Sequence, residues 1–228
     1  MAYLLGAHVS TKGGVQNAPL NAAKIGASAF ALFLKNQRRW FEKPYPPERV
    51  RQFKENLRKV GIKPEAVLPH ASYLVNLCSP SAEVARKSLR ALKDEALRAQ
   101  TLGLKYLNFH PGARGDRYSE DRALRLVAAA LNRLIEETEK VVFVVENTAG
   151  QGTTIGYRLE HLARILELVR YKDRVGVCLD TAHLFAAGYD LSTEEGFFKT
   201  FELFEELIGF EFLKGVHLND SLVPLGSR

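Results

Sequence analysis

Cysteine is scarce in this chain: two in 228 residues, Cys78 and Cys178, far apart and without CxxC spacing. That excludes a disulfide framework and a cysteine-based metal site, and both are expected to be small buried thiols. No apolar run approaches the roughly 18 residues a membrane span needs. The opening MAYLLGAHVS also lacks the basic-then-apolar layout of a signal peptide. A soluble, cytoplasmic protein without a membrane partner is expected. No GxGxxG or GxxxxGK[ST] follows the first apolar segment, which removes the main support for a nucleotide-cradling open sheet. Neither a linker nor a low-complexity stretch interrupts the chain, so residues 1–228 read as one domain.

What is present is ordinary for a globular core: 46% hydrophobic and 25% charged residues. The net charge of +6 is compatible with a polyanionic partner but does not by itself establish one. Short apolar segments recur at 4–9, 29–34, 66–70, 106–110, 141–146, 175–180 and 212–218. Their spacing of about 35 residues is that of a strand-plus-helix unit. Helical patterns fill the gaps, at 15–25, 47–60, 81–102, from Ser119 onward, at 157–170 and at 194–208. In the third gap Leu89, Leu92, Ala96, Ala99 and Leu102 share a face and Gly103 supplies the stop; Ser119 can cap the next helix. The strands are apolar almost throughout instead of alternating, as expected where both faces of a parallel sheet are covered. An open doubly wound sheet and a TIM-type (β/α)8 barrel both fit. Seven units at this spacing favour the barrel. An eighth unit would take about another 40 residues, so the spacing predicts that residues 1–228 are a C-terminally incomplete part of a longer barrel.

Five of the six histidines, His8, His70, His110, His183 and His217, fall at or just beyond the C-terminal end of an apolar segment. Glu146 and Asp180 end two of the segments. In α/β barrels these strand ends form the rim where sites are built, so residues from different strands would meet in one pocket. Imidazole and carboxylate are ligands for zinc, manganese or iron, and this many exceed the needs of one tetrahedral ion. Two ions about 3.5–4 Å apart, bridged by a carboxylate, suit phosphodiester hydrolysis. Glu146 and Asp180 are the candidate bridges. His8 has no acidic companion nearby and could instead hydrogen-bond a substrate phosphate or a neighbouring loop. His161 sits within a helical pattern and reads as structural or solvent-facing.

The longer motifs carry a resemblance. LPHASYLVNL at 68–77, NFHPG at 108–112, VENTAGQG at 145–152, CLDTAHLFAAGYD at 178–190 and HLND at 217–220, with GAHVS at 6–10 and KNQRRW at 35–40, together resemble the endonuclease IV family of zinc-dependent apurinic/apyrimidinic endonucleases. The resemblance implies a TIM-like barrel with three zinc ions, manganese being possible, acting in base excision repair. It implies a monomer whose partner is double-stranded DNA containing an abasic site, cut on the 5′ side to leave a 3′-hydroxyl and a 5′-deoxyribose phosphate. By motif, it places His70, His110 and Glu146 on one ion, Glu146, Asp180 and His217 on a second, and His183 on a third, with Glu146, His110 and Asp180 at the chemistry. It also matches Arg38, Tyr73 and Leu74 to side chains that wedge into the duplex.

The chain departs from the family pattern after HLND, where Leu222 stands in place of a lysine and Gly226, Ser227 and Arg228 precede the point at which an Asp-x-His pair is expected. His183 is thus expected to lack partners, and incision by a chain ending at Arg228 to be reduced. Ala182 replaces the usual cysteine of DTCH. Two other readings compete: a metal-dependent sugar isomerase or epimerase, and a metal-stabilised protein that binds abasic DNA without cutting it.

Overall fold

The computed structural model describes residues 3–228. Seven parallel strands lie in chain order: β1 (Gly6–His8), β2 (Ala29–Phe33), β3 (Val67–His70), β4 (Tyr106–Phe109), β5 (Val142–Glu146), β6 (Val175–Asp180) and β7 (Leu213–His217). The helices are α1 (Ala18–Lys24), α2 (Pro47–Lys59), α3 (Ala82–Leu102), α4 (Glu120–Glu136), α5 (Leu159–Leu168), α6 (Thr181–Ala187) and α7 (Glu194–Leu207). The sheet curls into an open TIM-type barrel with β1 and β7 as its edges, and residues of both edges line one lumen.

Side-chain alternation separates two apolar layers. Leu107 and Phe109 of β4, Phe143 and Val145 of β5, and Val175, Val177 and Leu179 of β6 point outward into a large core shared with the helices. Val142, Val144 and Cys178 point inward, with Leu68 and Tyr106 against them. Gly215 of β7 lets Leu68 cross the lumen, since a Cβ there would lie 2.7 Å from the Leu68 Cδ2. Both faces of the central strands are thus apolar, which is why their sequences do not alternate.

The expected helix signals hold. Ser81 accepts from the Val84 amide, Gly103 ends α3 in the left-handed conformation at φ 79°, and Ser119 accepts from the Arg122 amide. Each such cap contributes about 1 kcal/mol. Ala91, Leu92, Ala96, Ala99 and Leu102 form the buried stripe of α3, while Leu89 is only half-buried.

Three elements differ from expectation. The first strand is shorter than 4–9: Leu4 and Leu5 are exposed, and β1 has a single neighbour to hold it. Residues 15–25 begin as a 3-10 turn over Val15–Asn17 before α1. Helix α6 follows β6 without a loop because the Asp180 side chain caps it through the His183 amide. Its brevity hid it within a longer motif.

Candidate metal centre at the barrel mouth

Four of the histidines meet at Glu146, the last residue of β5. The Glu146 Oε2 lies 3.1 Å from His70 Nε2 and 3.5 Å from His110 Nε2. The Oε1 lies 3.0 Å from His217 Nδ1 and 3.7 Å from His183 Nδ1. Each oxygen therefore faces imidazoles from a different side of the barrel. The rings of His70 and His110 are 5.1 Å apart, His110 and His183 5.5 Å, and His70 and His217 6.0 Å, so the imidazoles form one wall of aromatic nitrogen donors.

Among the described residues, three donor groups are close enough to share an ion: His70, His110 and Glu146; Glu146, Cys178 and His217; and Glu146, Asp180 and His183. Asp180 falls with His183 because its Oδ1 is drawn to the first turn of α6, accepting from the His183 amide at 2.9 Å and lying 3.8 Å from His183 Nδ1. Its Oδ2 accepts from Asn219 at 2.7 Å.

Tautomers follow from the backbone. The His70 Nδ1–H donates to the Ala71 carbonyl at 2.7 Å, and the His183 Nδ1–H donates to the Asn147 carbonyl at 3.0 Å. The His70 Nε2 is thereby turned toward the Glu146 carboxylate. That nitrogen lies 3.1 Å from the Glu146 Oε2, a contact that a proton or a metal ion would bridge. His110 Nε2 is buried without a hydrogen-bond partner and faces the same oxygen. This donor set fits divalent cations of the zinc and manganese type.

Charge points the same way. Burial alone would raise the Glu146 carboxyl, but the imidazoles of His110, His217 and His70 outweigh it and hold the group well below the ordinary carboxylate range. Burial alone would lower His217, and here Glu146 and Asp180 win and raise it. The phenol of Tyr73 is raised by burial and then by the charges of Glu146 and Asp180.

Sequence reasoning passed over three asparagines. Asn108, fully buried on β4, donates its Nδ2 to Glu146 Oε2. It sits two residues before His110, on the same inward face, and that spacing was the available signal. Asn147 clamps the start of α6: its Oδ1 accepts from the Asp180 amide at 2.6 Å and its Nδ2 donates to the Asp180 carbonyl at 3.2 Å. Asn219 holds Asp180 from the far side. Cys178, expected to be only a buried thiol, is buried on the lumen face directly beneath the cluster; burial and then the Glu146 charge raise its thiol well above the ordinary range.

Of the residues matched to DNA contact, Tyr73 lines the same mouth. Tyr73 is 60% exposed, with its ring 5.3 Å from His70 and 5.9 Å from His110. Leu74 is half-buried beside it, and Arg38 is exposed on the turn closed by the Arg39 amide on the Asn36 carbonyl. His8 lies on the exposed edge strand with its ring 4.5 Å from Phe33; desolvation of the ring, with His70 and His217 nearby, pushes the imidazole down to about 4. His161 is away from this cluster and buried, which makes it structural and not solvent-facing. In the 147–156 loop Gly150 and Gly152 have φ of 86° and 57°, so turn geometry accounts for both glycines.

A family model described as xylose isomerase-like TIM barrel matches residues 19–228. The crystal structure of endonuclease IV from Thermus thermophilus superposes with a TM-score of 0.83 at 34% identity, over 98% of this chain and 79% of that one. The chain belongs to the endonuclease IV family of these barrels. Within the wider fold, the AsfvAP:AG structure matches at 21% identity and TM-score 0.74, over 96% of this chain and 71% of that chain. The 3-keto-D-glucoside 4-epimerase YcjR from E. coli matches at 12% identity and TM-score 0.67, over 96% and 80%. At those identities the two share the architecture, and the site must be read from this chain's own residues. In this family member the lumen is a cavity of about 870 Å³ bordered by His8, His70, Tyr73, His110, Glu146, Asp180, His183 and His217. No helix among the described residues is long and apolar enough to cross a membrane.

Proposed function

We propose that the chain is a metal-dependent DNA repair endonuclease that hydrolyses the phosphodiester 5′ to an abasic site, leaving a 3′-hydroxyl and a 5′-deoxyribose phosphate. The observation that carries this reading is the buried carboxylate of Glu146 with imidazoles on both of its oxygens, a donor set for more than one cation at one mouth. His70, His110, Glu146, Asp180, His183 and His217 would hold the ions, His70 and His110 with one oxygen of Glu146, and Asp180 and His183 together with the same carboxylate; zinc fits, and manganese shares these ligands. The chemistry supplied by such ions is Lewis-acid activation of water and neutralisation of the charge that builds on the phosphate and its leaving oxygen.

The chain's own groups orient and exclude. Glu146 stays unprotonated at neutral pH and Asn108 fixes one of its oxygens. Neutral His8 offers an N–H to a phosphate oxygen. Arg38, Tyr73 and Leu74 enter the duplex where a nucleotide is missing its base. Extruding a sugar that has already lost its stacking costs less than extruding an intact nucleotide, and this gives selectivity.

A labelled duplex with one abasic site tests the reading. The metal-loaded chain should nick it on the 5′ side, lose that activity with chelator, and regain it with zinc or manganese. Binding should weaken steeply with salt, by a log–log slope of about −0.9 per phosphate neutralised. Binding without incision would favour a recognition protein. Turnover of a ketose, insensitive to salt, would favour a sugar isomerase or epimerase.

A further inference from the structure

Between the end of β2 and the middle of α3 lies a buried ion pair. Lys35, just after β2, and Glu95, in the middle of α3, meet at 2.9 Å with both side chains 1% exposed. With both side chains buried, each charge uses its remaining capacity on backbone. Both carboxylate oxygens of Glu95 accept from the Ser72 amide, at 3.1 and 3.2 Å. The Lys35 Nζ donates to the Arg39 carbonyl at 2.8 Å. The Ser72 hydroxyl then donates to the Gln37 carbonyl at 2.6 Å, which joins the two loops directly.

These are the loops that present Arg38 on one side and Tyr73 and Leu74 on the other. One turn further along α3, the buried Arg98 gathers the continuation of the first loop, donating to the carbonyls of Glu42 and Lys43. A buried ion pair is a poor device for stability, because an apolar pair of similar volume is commonly as stable or more so. What an apolar pair cannot do is hold a backbone amide and a carbonyl in fixed directions.

We propose that Lys35 and Glu95 are positioning residues, which lock the two rim loops to α3 and thereby set the spacing between Arg38 and the Tyr73–Leu74 pair against a duplex lacking a base. The pair acts on recognition of the abasic site, and because the Ser72 amide shares its peptide with the Ala71 carbonyl that orients His70, metal content is read beside it; the inference rests on the endonuclease reading given above.

The test uses the metal-loaded chain, with K35M/E95L to replace the ion pair by apolar volume and Ser72→Ala to cut the loop-to-loop bond alone. The expected result for the double variant is a wild-type metal content, kcat within threefold, KM for an abasic duplex raised at least tenfold, and affinity for undamaged duplex changed less than twofold. Amide exchange at Ser72 should accelerate in the same variant. Ser72→Ala should raise KM at least threefold, and it decides the matter alone if the double variant does not fold. The proposal is overturned if KM stays within twofold while Ser72 exchange accelerates, or if metal content falls in step with activity. Should wild type itself neither bind nor cut abasic duplex, the endonuclease reading fails, whereas wild-type Ser72 exchange in the double variant refutes the lock independently of substrate.

Discussion

Glu146→Gln removes one charge and little volume from the centre of the cluster. The carboxylate oxygens lie within 3.7 Å of four imidazole nitrogens, so its loss acts on both sides of the mouth at once. Removing one partner of a buried charge pair costs about 3–5 kcal/mol. At about 1.4 kcal/mol per tenfold, that is a roughly hundred- to several-thousandfold loss of affinity for each cation held partly by Glu146. Metal analysis after equilibration with micromolar zinc should show less than one ion per chain, with incision reduced at least as much. A second readout needs no metal at all. Glu146 is a main cause of the raised His217 imidazole, so in the metal-free variant His217 should titrate at lower pH by NMR.

The sign of the stability change follows. Wild-type His217, raised when folded, contributes stability below about pH 6.5 that is lost as pH rises through its folded value. Wild-type Glu146, depressed when folded, contributes stability above about pH 4.5 that is lost as pH falls through its folded value. The metal-free wild type should therefore exceed the variant most between those limits. Full metal content and unchanged His217 titration in E146Q would refute the reasoning.

Asn108→Leu removes the donor to Glu146 without changing charge; supporting hydrogen bonds of this kind are worth about 10–100-fold in metal affinity. Chelator competition should register that loss with an unaltered circular dichroism spectrum, and an affinity within twofold of wild type would count against the role given to Asn108. His161 accepts from the Gly156 amide at 3.2 Å and faces Glu120 at 3.4 Å. Burial lowers its imidazole despite Glu120. Its contribution to stability is present above about pH 6.5 and is lost on acidification below that value. His161→Leu should cost about 1–3 kcal/mol at neutral pH by orphaning the Gly156 amide. The same change should shrink the fall in Tm between pH 7 and pH 5, and equal falls in both proteins would show that His161 is not the acid-sensitive group.

Much of this protein is set by local order in the chain. Apolar segments at strand-plus-helix spacing specify the parallel sheet, Ser81, Gly103 and Ser119 mark helix ends, and parallel strands bring their C-terminal ends to one rim, where His70, His110, Glu146, Asp180 and His217 stand. The extent of β1 and the onset of α6 were not legible, since one depends on a neighbour to pair with and the other on a side-chain cap. The partnerships belong to tertiary structure. Which oxygen of Glu146 meets which histidine, why Asp180 leans toward His183, and how Asn108 reaches the carboxylate depend on angstrom-scale distances between strands far apart in sequence. Glu95 shows the limit most plainly. It falls on the stripe of Leu92, Ala96 and Ala99, but a charge there acquires meaning only when Lys35 and the Ser72 amide arrive from other loops to receive it.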